Sequence, residues 1–190
     1  MAGKRPLFIV LVIAVVAAAL GGYFLLFATN HFTEPETITF HNASFLDNCG
    51  LEEVAFAGAD GYMSIIADHD TRQCWQEDYT LVAAYISYDP AIDVDLDGAV
   101  QGAISDIRNN PNIWSADCYA EETTIDGLPA RSAECSFAYF RESEAGRAQM
   151  RFLLHGNDLY MLQALYPVEG GEAYAQGAEM VMESVRFVGE

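Results

Sequence analysis

Basic residues are scarce in this sequence, and lysine is almost absent from it. Among 190 residues there are nine lysines and arginines against 28 aspartates and glutamates, and the single lysine is Lys4. Every acidic residue follows residue 33, so the chain from there on carries 28 carboxylates, seven arginines and a formal net charge of −21. This charge repels phosphate backbones and excludes nucleic acid as a partner. The absence of lysine there also excludes Schiff-base chemistry.

Motifs that carry enzymatic chemistry are missing as well. The sequence contains no G-x-S-x-G elbow, no glycine-rich phosphate loop with lysine, no H-E-x-x-H helix and no dinucleotide-binding fingerprint. Its four histidines are scattered, and no C-x-x-C or C-x-x-H pair offers a zinc site. Asp68-His69-Asp70 could support a base or a metal, but we interpret these residues as a surface turn. We therefore expect a protein that is not an enzyme.

One long apolar run is present at residues 7–28. It holds 22 residues without charge or proline, and at about 1.5 Å per residue it spans the hydrocarbon core of a bilayer. Lys4 and Arg5 precede it and the next charges are acidic, so the positive-inside rule keeps the N-terminus in the cytoplasm. Cleavage of a signal peptide near residues 17–19 is the alternative, although the run is longer than usual for one. We predict that residues 1–28 anchor the chain in the inner (cytoplasmic) membrane, with the rest periplasmic or extracellular.

The remainder of the chain predicts one α+β domain. Residues 29–36 form a short polar tether, and residues 37–190 contain no repeat or long linker. Helical periods cover about residues 97–108 and 171–184. Runs of β-branched and aromatic residues predict strands at 37–40, 52–56, 62–67, 79–88, 136–141, 147–155 and 159–166. We expect an antiparallel sheet in meander order with both helices on one face, preceded by the single transmembrane helix.

A hairpin is predicted around Asp126-Gly127. This dipeptide favours a two-residue type I′ turn, whose register places Cys118 opposite Cys135. The two cysteines then form a non-hydrogen-bonded pair, in which Cα atoms approach to about 4.5 Å, within reach of a disulfide. Pro129 falls at another such position, where its missing N–H costs no ladder bond. We predict a structural disulfide, because a redox pair needs an exposed thiol near positive charge.

Cys49 and Cys74 are the other two cysteines. An even cysteine count in an oxidising compartment favours their pairing. If Asp60-Gly61 turns a hairpin, however, Cys49 faces Arg72 and Cys74 stands two residues out of register. We expect this second disulfide, and it requires a bulge or a loop.

An acidic loop offers the stronger candidate metal site. Asp93, Asp95, Asp97 and Gly98 match positions 1, 3, 5 and 6 of a calcium loop, but Ile104 stands where the bidentate glutamate belongs. The simpler interpretation is that Asp95 or Asp97 caps the following helix, whose N-terminal end favours acidic groups. We expect the cap and no cofactor, and keep calcium binding as the alternative.

The order of elements resembles a known family. A helix, a hairpin containing "GLPAR", two further strands and a last helix running into "ESVRF" resemble the PsbP-like fold over about residues 80–188. That fold recurs in extrinsic photosystem subunits and in small membrane-anchored bacterial proteins outside the cytoplasm. The resemblance implies an accessory, assembly or binding module rather than an enzyme.

These observations predict a non-enzymatic, single-pass, extracytoplasmic module that serves as an accessory, assembly or docking subunit of a membrane protein complex. Its acidic domain attracts cations, so the partner is a membrane-embedded protein or complex, or a basic protein such as a c-type cytochrome. Any of its two tryptophans, ten tyrosines and eleven phenylalanines that are exposed would mark the interface. The alternative is a cation- or small-ligand-binding domain that uses the acidic loop 89–97.

Overall fold

The computed structural model describes residues 33–55, 65–76, 78–139, 145–169 and 171–189. These residues form a seven-stranded sheet in the order β3-β4-β5-β9-β8-β7-β6 and a three-stranded sheet in the order β1-β2-β10. All strand pairs are antiparallel, and with the two helices they confirm the α+β class. The elements in chain order are β1 (Glu36–Phe40), β2 (Ala43–Asp47), β3 (Glu52–Glu53), β4 (Ile66–Gln76), β5 (Tyr79–Tyr88), α1 (Leu96–Asn109), β6 (Ile113–Ile125), β7 (Leu128–Tyr139), β8 (Ala145–His155), β9 (Asp158–Pro167), α2 (Glu172–Ser184) and β10 (Arg186–Phe187).

The main sheet consists of two meanders rather than one. Strands β3 to β5 are consecutive neighbours, and so are β6 to β9. The two sets join where β5 pairs with β9, because α1 carries the chain from β5 to the far edge of the sheet. The predicted meander is therefore correct within each set only.

The two helices cover opposite faces of the main sheet, so the prediction that both lie on one face is wrong. In β5, the even-numbered residues from 82 to 86 pack with α1, and the odd-numbered residues from 81 to 85 pack with α2. Successive side chains of a strand point to opposite faces. Because nearly every position of β5 is apolar and buried, each face needs its own cover, which α1 supplies on one side and α2 with the small sheet on the other.

Both helices lie where the periodicity predicts them. α1 occupies Leu96–Asn109, and α2 occupies Glu172–Ser184. Gly171 precedes α2, and a Cβ at this position would collide with the carbonyl oxygen of Pro167, so the close approach requires glycine. The buried stripe of α1 includes Val100, Ala103, Ile104 and Ile107, which repeat at helical spacing in the sequence.

The predicted hairpin is confirmed. Asp126 and Gly127 have φ values of 50° and 81°, as a type I′ turn requires. Cys118 pairs with Cys135 across the β6–β7 ladder, and their Cα atoms are 4.1 Å apart. This short distance is typical of a non-hydrogen-bonded pair, and Pro129 occupies another such position. A disulfide joins the two cysteines.

The first part of the sheet differs from the prediction. Asp68-His69-Asp70 belongs to the 11-residue strand β4 and not to a surface turn. Glu53 lies opposite Arg72, so the predicted register with Cys49 at that place is wrong. The turn proposed at residues 60–61 lies outside the described residues. β4 is polar in sequence, and its extended conformation is imposed by pairing with β5 and not by its own propensity.

The second disulfide forms through a loop, as its register requires. Cys49 follows β2, and its Cα lies 6.0 Å from that of Cys74. The buried carboxylate of Asp47 accepts hydrogen bonds from the backbone N–H groups of Cys49, Gly50 and Leu51 at 3.0, 2.9 and 2.7 Å. Since three donors converge on one side chain, the loop is held in the shape that presents Cys49 to the sheet.

The predicted anchor, residues 1–28, lies outside the described residues. Within the described ranges, neither helix has the length and apolar character needed to span a bilayer.

Candidate functional site

The acidic loop joins β5 to α1 and rests on the turn between β8 and β9. Asn157 in that turn donates its side-chain amide to the carbonyls of Asp89 and Ile92, at 3.1 and 2.9 Å. The backbone N–H of Tyr88 donates to the carbonyl of Asn157 at 3.0 Å. These hydrogen bonds to the turn fix the loop through its backbone groups.

The three predicted ligands have separate surroundings. Asp95 is the N-cap of α1 and accepts from the backbone N–H of Asp97 at 3.1 Å, which confirms the predicted cap. The Asp97 carboxylate accepts from Arg131 at 2.7 Å, and the same guanidinium reaches Glu122 at 3.2 Å. The hydrogen bond that Arg131 donates to the Asp97 carboxylate raises the pKa of Arg131. Asp93 is exposed.

A metal site would need ligands gathered around one point. Among the described residues, no group of three or more histidine, cysteine, aspartate or glutamate side chains stands close enough to hold a metal ion. Calcium binding by Asp93, Asp95 and Asp97 stays the alternative to the helix cap, and a test for it is given below.

A second polar cluster, which the sequence did not reveal, lies on the face covered by α2. We call His41, Asp70, Arg72 and Tyr85 the His41 cluster. His41 has a φ of 53°, rare for a residue other than glycine, and its ring stacks on Tyr85 with 3.7 Å between centroids. Its Nε2 lies 3.4 Å from the carboxylate of Asp70, and Arg72 lies 3.7 Å from the same group. The spacing of Asp68, Asp70 and Arg72 at every second position was the signal for a strand face.

The chemistry available to the His41 cluster is limited. An imidazole beside a carboxylate can hold or pass a proton. The chain has no free thiol to act with it, because all four cysteines are in disulfides. Tyr160 packs 5.2 Å from Tyr85, and burial raises the pKa of its hydroxyl to about 12, so it stays protonated. The contacts hold the β1–β2 turn against the main sheet.

A narrow cleft lies beside this cluster, between the two sheets. Its lining is apolar apart from Arg151 and Tyr160, and includes Phe40, Phe45, Ile125, Leu153 and Met161. The free space inside is about that of a single water molecule. The cleft is therefore too small to receive an organic ligand as it stands.

The outermost strand, β6, presents two exposed aromatic side chains. Trp114 is 73 % exposed and Tyr119 is 58 % exposed. Asp117, Glu121 and Glu122 on the same strand are exposed as well, and β6 contains no basic residue. Aromatic residues at the surface of an acidic domain match the features expected of a protein interface. Elsewhere in the described ranges, the exposed large apolar residues are Trp75, Val168, Met180 and Val188.

Comparisons with known proteins show the fold. No family model and no curated protein matches the sequence. The structure is similar to cyanobacterial PsbP (CyanoP) from Synechocystis, with a TM-score of 0.58 and 10 % identity over 87 % of this chain and 99 % of that one. It also matches the Saccharomyces cerevisiae Ran-binding protein Mog1p (TM-score 0.48, 7 % identity, 82 % and 96 % covered). A third match is Mycobacterium tuberculosis LpqN, described as involved in cell envelope biogenesis. Its TM-score is 0.47, with 13 % identity over 81 % of this chain and 84 % of that one. The likeness to CyanoP confirms a PsbP-like fold.

Proposed function

We propose that this protein is a non-enzymatic docking module of a membrane protein complex, anchored by residues 7–28 with its domain outside the cytoplasm. The apolar run and the charges around it support the anchor and its orientation. Two disulfides support an oxidising compartment, since such bonds persist there and are rare in the cytosol. A PsbP-like fold is compatible with this role but does not assign it, because one fold serves many functions.

The observation that carries the proposal is the exposed pair Trp114 and Tyr119 on an acidic strand. Large aromatic side chains dominate the energy of protein interfaces, and leaving them in water forgoes that energy. The carboxylates around them attract a basic partner and repel an acidic one. The partner is accordingly a membrane-embedded subunit with a basic extracytoplasmic segment, or a basic soluble protein such as a c-type cytochrome.

Co-purification tests the docking role. The full-length chain, extracted from its native membrane in mild detergent, should bring other subunits with it in fixed stoichiometry. Trp114→Ser should weaken that association, whereas Trp75→Ser, a matched change at a tryptophan that is 57 % exposed on another element, should leave it intact. A chain that purifies alone, or two variants that behave alike, would contradict the proposal.

Topology is tested separately. Protease added to spheroplasts, whose cytoplasmic membrane is intact and whose outer face is accessible, should degrade the domain, and the mature protein should retain residues 1–28 by mass spectrometry. A domain accessible only from the cytoplasm would overturn the orientation. A mature N-terminus beyond residue 19 would replace the anchor with a cleaved signal peptide and leave the domain free to diffuse.

A further inference from the structure

The outer edge of β6 is unusual for its length. β6 has 13 residues, more than any other described strand, and it ends the seven-stranded order. No described strand pairs with its outer side. The opposite edge of the same sheet is β3, which has only two residues. Proteins usually keep edge strands short or covered, because a long edge is a template for pairing with another chain.

The hairpin register identifies the backbone groups that this edge offers. Cys118 and Cys135 form a non-hydrogen-bonded pair, with Cα atoms 4.1 Å apart. In an antiparallel ladder, residues at such positions turn their N–H and C=O groups away from the paired strand. The even-numbered residues of β6 from 116 to 124 therefore direct both groups outward, toward any strand that lies alongside.

The side chains of β6 determine which sequence pattern suits a strand that pairs with its outer edge. One face of β6 carries the exposed residues Asp117, Tyr119 and Glu121. The other face carries Ala116 and Ala120 beside the disulfide. A neighbouring strand places alternate side chains on these two faces. It would match β6 best with basic residues at every second position and small apolar residues between them.

A second copy of this chain is a poor occupant of the edge. Two β6 strands side by side would bring Asp117 and Glu121 of each copy close to carboxylates of the other, without any basic residue on either strand. Like charges across a strand pair are destabilising. The same carboxylates that discourage self-pairing select a basic partner.

We propose that the partner docks by adding an extended segment, basic at alternate positions, to the outer edge of β6. This rests on the proposed docking function and specifies how the docking occurs. Backbone hydrogen bonds to residues 116–124 hold the segment, Asp117 and Glu121 select its charge, and Trp114 and Tyr119 pack against its neighbours in the partner.

The test uses the full-length chain in detergent and a synthetic strand-length peptide of alternating lysine and valine. A peptide of the same composition with its lysines grouped is the control for charge alone. Calorimetric titration should show binding of the alternating peptide and much weaker binding of the grouped one. Equal binding of the two peptides would overturn the proposal, since simple charge attraction does not depend on alternation.

Ala120 provides the matched variants. Its side chain is exposed and its N–H points outward, so Ala120→Pro removes a donor from the edge without removing a β6–β7 bond. Ala120→Thr keeps the donor. We expect Ala120→Pro to weaken binding of the alternating peptide about tenfold and Ala120→Thr to preserve it. Unchanged binding by a folded Ala120→Pro chain would overturn strand addition.

Charge reversal keeps the proposal testable if the proline variant fails to fold. The chain with both Asp117→Lys and Glu121→Lys should no longer bind the lysine–valine peptide and should bind an alternating glutamate–valine peptide instead. Failure to switch would overturn the selection of charge by these residues.

Co-purification from native membranes separates this proposal from the docking function on which it rests. A partner that is retained by Ala120→Pro but lost by Trp114→Ser would overturn strand addition at the edge of β6 and support the docking function. Absence of any partner from the unaltered chain would instead remove the docking role itself.

Discussion

Two disulfides close two regions of this protein that are built in different ways. Cys118 and Cys135 are 17 residues apart in one hairpin, and the turn midway between them sets their register. Cys49 and Cys74 are 25 residues apart, and Cys49 lies in the loop between β2 and β3, outside the strand ladder that contains Cys74. The first region is specified by local chemistry, whereas the second depends on contacts between distant parts of the chain. β2, for example, pairs with β10 near the other end of the chain.

Removing each disulfide is the strongest test of this difference. In the chain-entropy model, cross-links closing 25 and 17 residues each contribute about 3–4 kcal/mol to the free energy of unfolding. We expect similar losses in urea unfolding when Cys49 and Cys74, or Cys118 and Cys135, are replaced by alanine. The local effects should differ, because the Asp126-Gly127 turn preserves the hairpin register without the bond.

Limited proteolysis separates the two variants. Without Cys49 and Cys74, cleavage should concentrate in the loop after β2. Without Cys118 and Cys135, the hairpin should stay resistant, and hydrogen exchange should still protect its ladder amides. The opposite result would contradict this expectation: a hairpin that is cleaved without Cys118 and Cys135, and a loop after β2 that stays resistant without Cys49 and Cys74.

The hairpin and the helices could be predicted from the sequence because their signals are local. Asp126-Gly127, the two cysteines and Pro129 agree on one register, and the apolar stripe of α1 repeats at helical spacing. Each signal lies within the element that it specifies. The N-cap predicted at Asp95 or Asp97 is confirmed at Asp95 for the same reason.

The remaining features could not be predicted because their causes lie far away in the sequence. The polar sequence Asp68-His69-Asp70 in β4 predicts a surface turn, but these residues form a strand because they pair with β5. The opposite placement of the helices follows from the sheet order, since α1 crosses to the far edge before β6 begins. His41 meets Asp70 and Tyr85 only after the β1–β2 turn packs on the main sheet.

In the region around Cys49 and Cys74, we expect Asp47 to make the next largest contribution to the free energy of unfolding. Replacing it with alanine removes the acceptor for three backbone N–H groups, which we expect to cost about 2–3 kcal/mol of unfolding free energy. Asp78→Ala, at an exposed position, serves as control and should cost little. Urea unfolding of both variants measures the difference. Equal values would show that the disulfide alone holds the loop.

Asp106 on α1 is a carboxyl group in the opposite situation from Asp47. Its Oδ2 is buried and finds no hydrogen-bond donor among the described residues, and burial raises its pKa from 3.8 to about 7. The folded state therefore binds a proton that the unfolded state has released between about pH 4 and 7. Stability contributed by this site falls as the pH rises through that window and stays low above it.

Asp106→Asn should remove this loss. Because the side chain is only partly buried, we expect the variant to be more stable than the parent by about 1–2 kcal/mol at pH 8, with a smaller gap at pH 5. Chemical unfolding at both pH values measures the gap. Asn109→Asp, at an exposed position on the same helix, is the control for charge on α1. A gap that does not change with pH would show that Asp106 is solvated and ordinary.

The smallest expected effect concerns the loop that connects the two parts of the sheet. Asp95→Ala should lower the free energy of unfolding by about 1 kcal/mol, since it removes the N-cap of α1, and Asp93→Ala should have almost no effect. Neither value should depend on calcium if capping is the role of the loop. Calcium chloride and sodium chloride at equal ionic strength should then shift the melting temperature alike, because both only screen the acidic domain.

Calcium titration decides between the cap and the alternative of a cation-binding domain. Arg131 already occupies the carboxylate of Asp97, and an ion entering there would have to compete with this ion pair. Ile104 supplies no oxygen where a calcium loop places its bidentate glutamate. We therefore expect no saturable response to millimolar calcium. A calcium-specific rise in melting temperature that saturates, and that Asp93→Asn abolishes, would show ligand binding by mass action. It would also mean that α1 and the β6–β7 hairpin are joined through a metal site and not through the Arg131–Asp97 pair alone.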